Sequence, residues 1–412
     1  MNKYIVLLLV ILLVAAILRF YRLDTLPPSF EWDEVATGYD AYSILKTGKD
    51  QYGTFLPLTM RSLDDYKPPL YTYLTVLSIA IWGWTDFAIR FPAAFLGVLA
   101  VGTSYMMTYE LLKRRDVALL SAAFLAVSPW HVNFSRLALE TNSTIFFTTA
   151  GVWAFYKGLQ NGKYLLLSAL LLGLNLYLYH NTRVFIPILG VGLLALHWKQ
   201  LLLHKKYMTI ATVLVVLFVL RLIPIVTSVE GTMRFQGTSI FSPAVSLEQY
   251  RQKQQFTLWR QNDREKGEGI LAKLYHSDAM FYGLKIIRNY LSHFDPTFWM
   301  FTSDSPRHFV SPLGLMYLID LPLIYIGMFF LLREKNRKTI VLLILWMLAT
   351  PIPASVTRDA PHSLRTAIFL PTFQILIALG ILGLIKKIHQ RTIAFSLYSY
   401  SINYLISFFP FF

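Results

Sequence analysis

Residues 5–18 read IVLLLVILLVAAIL, an apolar run that begins just after Lys3 and ends at Arg19. An apolar run approaching about 20 residues is typical of a helix that crosses the hydrocarbon core of a membrane. A cleaved signal peptide is the alternative, but no small-x-small cleavage motif precedes Arg19. We therefore predict a retained first span with its N-terminus in the cytoplasm.

The rest of the chain has the composition of a membrane protein. Of its 412 residues, 55% are hydrophobic and 15% are charged, and the mean hydropathy is +0.49. Soluble domains carry roughly 25% charged residues, so the composition predicts an all-α polytopic membrane protein. The net charge of +15 lies in short loops between apolar runs, so it reports topology and no nucleic-acid partner is expected. The absence of Cys excludes disulfides and thiolate metal sites.

Further apolar runs of about 17–25 residues predict the remaining spans, for about eleven transmembrane helices in all. These predicted spans are Phe87–Leu112, Val117–Val132, Thr141–Tyr156, Tyr164–Tyr179, Val184–Trp198, Met208–Val226, Pro312–Leu332, Thr339–Ile352, Thr366–Ile385 and Ile393–Phe409.

The connectors between these runs alternate in charge. Every second connector contains clustered Lys or Arg, which the positive-inside rule assigns to the cytoplasm. The basic connectors are Lys113–Arg115, Lys157–Lys163, Lys199–Lys206, Arg333–Lys338 and Lys386–Arg391. The remaining connectors, including the first loop and the segment Glu230–Ser311, are then predicted to face outward.

One further apolar stretch, Leu70–Trp84, is predicted not to cross the membrane. If it crossed, every later basic connector would move to the outside. Its Tyr71, Tyr73, Trp82 and Trp84 suit the headgroup region. We interpret it as an interfacial helix of the first outer loop.

This topology divides the chain into three parts. Residues 1–228 are predicted to form an N-terminal transmembrane module whose first outer loop, 19–86, is catalytic. Residues 229–311 form a long outer loop, and residues 312–412 form the C-terminal transmembrane helices.

The first outer loop contains two adjacent carboxylates, in Trp32-Asp33-Glu34, and a cation, in Tyr66-Lys67-Pro68-Pro69-Leu70. A solvated acidic loop is the simpler interpretation of the carboxylate pair alone. A charge within the hydrocarbon costs at least about 2.5–3.5 kcal/mol, so charges collected at one face form either a solvated rim or a site. Carboxylates in two outer loops, with cations in several, favour a site.

Other outward connectors contribute further candidates. Arg136 and Glu140 are spaced i, i+4, which predicts an ion pair on one helix face. The segment YLYHNTR (177–183) and the loop PASVTRDAPHSLR (353–365) are dense in polar groups, although an interfacial His180 and an ordinary turn are their simpler interpretations. The candidates from these two segments are Tyr179, His180, Arg183, Arg358, His362 and Arg365.

These motifs, in this order, resemble the membrane glycosyltransferases of family 39, which have the GT-C fold. The family includes protein O-mannosyltransferases and the bacterial aminoarabinose transferase that modifies lipid A. The resemblance is strongest in the first half of the chain and is looser through Phe309–Leu332 and the Arg358–Arg365 loop. It is carried by Trp32-Asp33-Glu34, Tyr66-Lys67-Pro68-Pro69-Leu70, Arg90-Phe91-Pro92, and Ser135-Arg136 with Glu140.

The resemblance implies both a reaction and roles for individual residues. In the family, a polyprenyl phosphate carries the sugar, and its headgroup is held at the outer face of the membrane. Asp33 then matches the catalytic carboxylate, Glu34 is its neighbour in the motif, and Glu140 matches an acid of the second outer loop. Lys67 matches the position that contacts the lipid phosphate in aminoarabinose transferases. The implied function is sugar transfer to a hydroxyl of a protein, lipid or glycan at the cell membrane.

The chemistry of such a transfer fits these residue types. Phosphate is a good leaving group, so the reaction needs a base for the acceptor hydroxyl and positive charge over the developing phosphate. Asp33 is the candidate base, and Lys67, Arg183 and Arg365 are candidate phosphate ligands. The predicted donor site is completed by Arg136, Tyr179, His180, Arg358 and His362.

We predict no cofactor, with a hard divalent cation on oxygen ligands as the alternative. Oligosaccharyltransferases of the same broad fold use a metal with spaced acidic motifs, whereas here the first-loop acids are adjacent and Glu140 stands alone. Two other classes of protein are alternatives to an enzyme. A lipid-linked sugar transporter or flippase would have ionisable residues in mid-span, but Glu110 and Arg221 lie close to span ends. A noncatalytic scaffold gives no reason for acids and cations to gather at one face.

A cysteine introduced at position 114 tests the topology in this Cys-free chain. We expect Arg114→Cys to resist a membrane-impermeant thiol reagent applied from outside, because Lys113–Asp116 is predicted to be cytoplasmic. Permeabilised cells provide the positive control for labelling. Modification in intact cells would contradict the topology.

Overall fold

The computed structural model describes residues 3–62, 65–242, 247–267, 269–301 and 314–407. These residues are almost entirely helical, with one small β-hairpin among them, which confirms the all-α class. Up to residue 227 the elements are α1 (Lys3–Phe20), α2 (Trp32–Thr47), β1 (Met60–Ser62), β2 (Asp65–Lys67), α3 (Leu70–Trp82), α4 (Asp86–Leu112), α5 (Arg115–Val127), α6 (Pro129–Ser135), α7 (Glu140–Gly158), α8 (Lys163–Asn175), α9 (Thr182–Leu201) and α10 (Lys205–Thr227).

The second half contains the helices of the long outer segment and those that follow it. They are α11 (Val229–Thr238), α12 (Leu247–Glu265), α13 (Ile270–Tyr275), α14 (Asp278–Ser292), α15 (Pro296–Met300), α16 (Asp320–Leu331), α17 (Arg337–Ala349), α18 (Ile352–Ser355), α19 (Ser363–Thr366) and α20 (Leu370–Ser407). Short 3₁₀ turns, Leu202–His204 and Ala367–Phe369, join α9 to α10 and α19 to α20.

Several helices are long and apolar enough to cross a membrane. Within the described residues there are five such helical runs, or six if the bent pair α5–α6 is one span. The five runs are Lys3–Phe20, Asp86–Leu112, Thr182–Thr227, Arg337–Ser355 and Ser363–Gln390. Helices α3, α8 and α16 are apolar but shorter. The chain is therefore a multi-pass membrane protein, whereas the count of eleven spans stays a prediction.

The predicted span Val117–Val132 is not a single straight helix. Helices α5 and α6 meet at 58° because Pro129 cannot donate the backbone hydrogen bond that would continue α5. The carbonyl groups freed at the end of α5 are satisfied by the buried Arg19, which donates to the Leu125 and Ala126 oxygens at 3.3 and 3.0 Å.

The predicted break between the last two spans is wrong. Helix α20 runs from Leu370 to Ser407 without interruption, through the basic segment Lys386–Arg391 that was expected to be a connector. Lys and Arg are good helix formers, and this segment contains neither Gly nor Pro to end the helix. The predicted span Tyr164–Tyr179 is also too long, because α8 ends at Asn175.

The interfacial stretch forms α3, whose 13 residues extend about 20 Å at 1.5 Å per residue. A hydrocarbon core is about 30 Å thick, so the length of α3 supports an interfacial helix. Helix α3 packs against α2 and α4. The hairpin before it pairs Met60 with Lys67, which fixes the position of Lys67 at the start of α3.

Helices α16 and α20 approach each other closely. At Gly327 of α16, an added Cβ atom would lie 1.8 Å from the Leu376 carbonyl oxygen, and at Gly380 of α20 it would lie 2.4 Å from the Leu323 oxygen. Small residues that let two helix backbones approach are a common basis of helix packing in membranes. Two glycines on opposite helices therefore determine this contact.

We expect Gly327→Ala to destabilise the protein by about 1–3 kcal/mol, the usual range for overpacking a close contact. The matched control is Gly190→Ala, since a Cβ atom at Gly190 meets no other atom within 4 Å. Thermal unfolding of both variants in detergent measures the difference. Equal midpoints for the two variants would contradict the close packing of α16 and α20.

Candidate active site

The loop region between α1 and α4 is held to the helical bundle by Glu34 and Arg90, which are both buried. Glu34 lies in the first turn of α2, where its Oε2 atom accepts the Glu31 backbone N–H at 3.0 Å as part of a capping box. Its Oε1 atom accepts from Arg90 Nε at 3.0 Å and from the Ala138 backbone N–H at 2.8 Å. One carboxylate therefore joins α2, α4 and the α6–α7 connector.

Arg90 also binds the irregular backbone before α2. Its guanidinium donates to the carbonyl oxygens of Leu23, Pro27 and Ser29 at 3.3, 2.9 and 3.0 Å, and to Glu34. These carbonyls lie outside regular structure; that of Leu23 is buried and needs a donor, whereas those of Pro27 and Ser29 are more accessible. Sequence analysis noted Arg90 as part of a family motif and missed this role.

Arg136 contacts the end of α1, and its role in the donor site stays a prediction. Its guanidinium donates to the carbonyl oxygens where α1 ends and the first loop begins. A cation is favourable there because the C-terminal end of a helix is negative. The predicted Arg136–Glu140 helix pair is also corrected, because α6 ends at Ser135 and α7 begins at Glu140, so the two residues do not share a helix.

The central pair of the site is Asp33 and Lys67. Lys67 Nζ lies 2.5 Å from Asp33 Oδ1, and the Lys67 side chain is 7% exposed whereas that of Asp33 is 21% exposed. Asp33 lies beside Glu34 in the first turn of α2, so the buried Glu34 holds its neighbour at the edge of the fold. The structure therefore brings the two first-loop motifs into direct contact.

Backbone contacts fix Lys67 against the α8–α9 connector. The Leu70 N–H, at the start of α3, donates to the Tyr177 carbonyl oxygen at 3.0 Å. The Tyr66 carbonyl oxygen lies 2.9 Å from His180 Nε2. The residues on both sides of Lys67 are thus bound to the segment that carries Tyr179, His180 and Arg183.

The partners of His180 determine its tautomer. Because the Tyr66 carbonyl can only accept, His180 Nε2 carries the proton and Nδ1 accepts from the Arg183 guanidinium at 3.1 Å. Arg183 also donates to the Leu176 carbonyl oxygen at 3.3 Å. In this tautomer His180 is neutral, and its two ring nitrogens orient the Arg183 side chain and the Tyr66 backbone.

The α18–α20 connector lies next to the same segment. Asn181 Nδ2 donates to the Arg365 carbonyl oxygen at 2.8 Å. The Arg365 guanidinium donates to Thr357 Oγ1 at 2.6 Å and to the Asp359 carbonyl oxygen at 3.0 Å. Arg365 is thus held in position by its own loop.

Arg358 and His362 contact the segment between α10 and α16. The Arg358 N–H donates to the Thr238 carbonyl oxygen at 2.9 Å, and its side chain is partly exposed. The His362 N–H donates to Nε2 of the buried His293, which follows α14, at 3.2 Å. These contacts show how the segment between α10 and α16 packs on the loop that carries Arg365.

A small pocket lies between these connectors. Its lining includes Tyr179 and Arg365 from the predicted set, together with Thr141 and Thr144 of α7. Glu140 precedes Thr141 as the first residue of α7, where the positive end of the helix favours a carboxylate. The pocket is therefore bordered by hydroxyl groups and a cation.

Asp40 is a further carboxylate that sequence analysis missed. It lies on α2, seven residues after Asp33 and so on a similar face, it is buried, and it accepts the Gln51 N–H at 3.2 Å. Burial raises the pKa of Asp40 to about 6, and the charge of Lys67 acts against that rise. Its seven-residue spacing from Asp33 was the available signal.

The described residues contain no group of three or more His, Asp or Glu side chains placed to hold a metal ion. Asp33 contacts Lys67, and both oxygens of Glu34 are occupied by Arg90 and backbone N–H groups. Glu34 therefore has no carboxylate oxygen available for a metal ion in this structure.

Comparisons with known proteins place this arrangement in a known fold. Residues 66–223 match the family model described as dolichyl-phosphate-mannose-protein mannosyltransferase. ArnT from Cupriavidus metallidurans, bound to undecaprenyl phosphate, superposes with a TM-score of 0.56 at 14% identity, over 90% of this chain and 59% of that one. The fold is that of the GT-C membrane glycosyltransferases. The resemblance to family 39 is thereby confirmed.

Archaeal GT-C enzymes share the fold. Oligosaccharyltransferase AglB from Archaeoglobus fulgidus, in complex with an inhibitory peptide and a dolichol-phosphate, has a TM-score of 0.55 and 15% identity over 95% of this chain and 51% of that one. A structure of the Archaeoglobus fulgidus oligosaccharyltransferase with Zn and sulfate has a TM-score of 0.53 and 17% identity, over 95% of this chain and 50% of that one. The chain thus spans between half and three fifths of these structures. Comparison with curated protein sequences gave no match.

We expect Glu34→Gln to destabilise this GT-C protein by about 3–5 kcal/mol, because it leaves the buried Arg90 without its counter-charge. Glutamine preserves the shape and the acceptor for the Ala138 N–H, so the change isolates the charge. The control is Glu334→Gln, whose partner Arg114 is partly exposed, so that loss of this ion pair costs about 0–1 kcal/mol. Thermal unfolding in detergent is the measurement, and equal losses of stability would contradict the role of Glu34.

Proposed function

We propose that the chain is a glycosyltransferase that moves a sugar from a polyprenyl-phosphate donor to an acceptor hydroxyl at the outer face of the cell membrane. The observation that carries the proposal is the contact between Asp33 and Lys67 at the edge of the bundle. The family-model match and the GT-C fold support a transferase with a lipid-linked donor. The sugar is a hexose or a pentose, and the acceptor is a protein, a lipid or a glycan.

In our proposal, the Asp33–Lys67 contact is the state of the site before the donor binds. A lipid phosphate is a strong acceptor and Lys67 is a compact point charge, so the phosphate attracts the ammonium away from Asp33. That exchange leaves a carboxylate free beside the phosphate. Donor binding thus supplies the base that the next step needs.

Transfer then follows by displacement at the anomeric carbon. The acceptor oxygen forms a bond to that carbon while its proton passes to Asp33. The bond from the anomeric carbon to the phosphate oxygen breaks, and the electron pair leaves with the phosphate. Lys67, and in our proposal Arg183 and Arg365, stabilise the negative charge that develops there.

The other predicted residues have separate roles in this proposal. Glu34 is a positioning residue, since its oxygens are occupied by Arg90 and backbone N–H groups, and His180 positions Arg183. Glu140, beside the hydroxyl-lined pocket, is a candidate for binding sugar hydroxyl groups. The side chains of Tyr179, Arg358 and His362 are proposed to border the donor.

We expect Asp33→Asn to lower the rate of transfer about 10²–10⁴-fold, the range for losing a general base. Donor binding should persist, because asparagine preserves the shape of the side chain and leaves Lys67 available. The control is Asp24→Asn, an exposed carboxylate of the same loop. The measurement is release of polyprenyl phosphate from a polyprenyl-phosphate sugar by the purified protein with an envelope extract as acceptor.

Either of two results would contradict this mechanism. Near-normal turnover by Asp33→Asn would remove Asp33 as the base. An equal loss of activity in Asp33→Asn and Asp24→Asn would indicate that the loop tolerates no change and that the base assignment has no support.

A further inference from the structure

Helix α14 has two faces with different environments. Phe281, Asn289 and His293 lie on its buried side or at its C-terminal end. On the other face, Leu284, Ile287 and Leu291 are 49%, 57% and 59% exposed. Their spacing of three and four residues forms one apolar stripe on the helix surface.

Helix α13, just before α14, extends this apolar surface. Ile270, Leu271, Leu274 and Tyr275 are all exposed, and the first two have more than three quarters of their surface accessible. An exposed apolar cluster of this kind marks a surface that contacts another phase or another molecule. We call the exposed residues of α13 and of this stripe the α13–α14 surface.

The position of α14 places this surface at the end of a candidate span. The Tyr290 hydroxyl donates to the carbonyl oxygen of Leu348 at 2.8 Å, in the last turn of α17. Helix α17 belongs to the apolar run Arg337–Ser355, which is long enough to cross a membrane. The C-terminal half of α14 therefore lies beside the end of that run.

Basic side chains accompany the apolar ones. Lys273 on α13 and Arg288, which follows Ile287 on α14, are both exposed, whereas the carboxylate of Asp278 lies 3.4 Å from the Arg260 guanidinium. Apolar residues with exposed cations are typical of helices that lie in a membrane interface and attract anionic lipids. The charge of the surface therefore complements a phospholipid headgroup layer.

We propose that the α13–α14 surface is inserted in the interface at the outer face of the membrane that the chain spans, and that it binds anionic phospholipid headgroups through Lys273 and Arg288. This inference does not depend on the proposed function. Its consequence reaches the candidate site, because the opposite face of α14 holds the Arg365 loop. Asn289 Nδ2 donates to the Ser355 and Thr357 carbonyl oxygens at 3.0 and 2.9 Å, and Thr357 accepts from Arg365.

The test uses the full chain in lipid nanodiscs that contain phosphatidylcholine and phosphatidylglycerol. A single cysteine replaces Ile287 and carries an environment-sensitive fluorophore, which is specific because the chain has no other Cys. The control is Gln255→Cys on α12, an exposed position in a polar helix. Quenching is measured with nitroxide-labelled lipid and, separately, with acrylamide in the aqueous phase.

We expect lipid nitroxide to quench the label at position 287 several-fold more than the label at 255, and acrylamide to show the opposite order. Lys273→Gln with Arg288→Gln, or nanodiscs of phosphatidylcholine alone, should reduce the lipid quenching at 287. Equal acrylamide quenching at both positions would overturn the proposal, since the surface would then face water. Protection of 287 from both quenchers would also overturn it, because a protein surface would then cover the stripe. If lipid quenching at position 287 is unchanged both by the Lys273→Gln and Arg288→Gln substitutions and by nanodiscs of phosphatidylcholine alone, the assignment of anionic headgroups is overturned.

Discussion

Three buried or half-buried arginines hold the candidate site together by binding carbonyl oxygens where helices end. Arg19 donates to the last carbonyls of α5, Arg136 to those at the end of α1, and Arg90 to the loop before α2. A buried carbonyl without a partner costs about 1–3 kcal/mol, which applies to the carbonyls that Arg19 binds and to that of Leu23, which Arg90 binds; most of those that Arg136 binds are exposed. The irregular backbone at this end of the bundle therefore depends on guanidinium groups from neighbouring helices.

Arg90 has a further consequence for chemistry, because it is paired with Glu34. This pair fixes the first turn of α2, so that the next residue towards the N-terminus, Asp33, reaches the edge of the fold and meets Lys67. The two adjacent carboxylates thus have different environments: one is buried and fully bound, and the other is partly exposed and contacts Lys67. Placing a fixed acid next to an accessible one lets the same short motif provide rigidity and, in our proposal, the catalytic base.

Much of this architecture could be predicted from the sequence. The apolar runs predicted the all-α membrane fold. The motif Trp32-Asp33-Glu34 predicted a carboxylate near Lys67, because polar groups at the ends of apolar helices are confined to the same side of the membrane. The contacts that Arg136 and Glu34 make could not be predicted in this way. The sequence does not indicate which donors will bind a given carbonyl or carboxylate, since those partners lie many residues away along the chain.

The helix ends were harder to predict for a related reason. Hydropathy locates apolar runs, but Pro129 bends the third one, and Lys386–Arg391 does not interrupt α20 although it is basic. Charged residues mark topology and do not end helices, whereas proline alters the backbone itself. Asp40 was missed because the sequence alone did not locate α2, so it did not show that Asp33 and Asp40 lie on a similar face of one helix.

Binding of the lipid phosphate by Lys67 is the central claim, and ³¹P NMR of a short-chain polyprenyl phosphate in nanodiscs tests it most directly. The wild-type protein should shift and broaden the phosphate resonance at concentrations where Lys67→Gln does not, while Lys199→Gln, an exposed lysine of α9, should behave like the wild type. Lys67→Gln that retains its thermal stability and still shifts the resonance like the wild type would contradict the account.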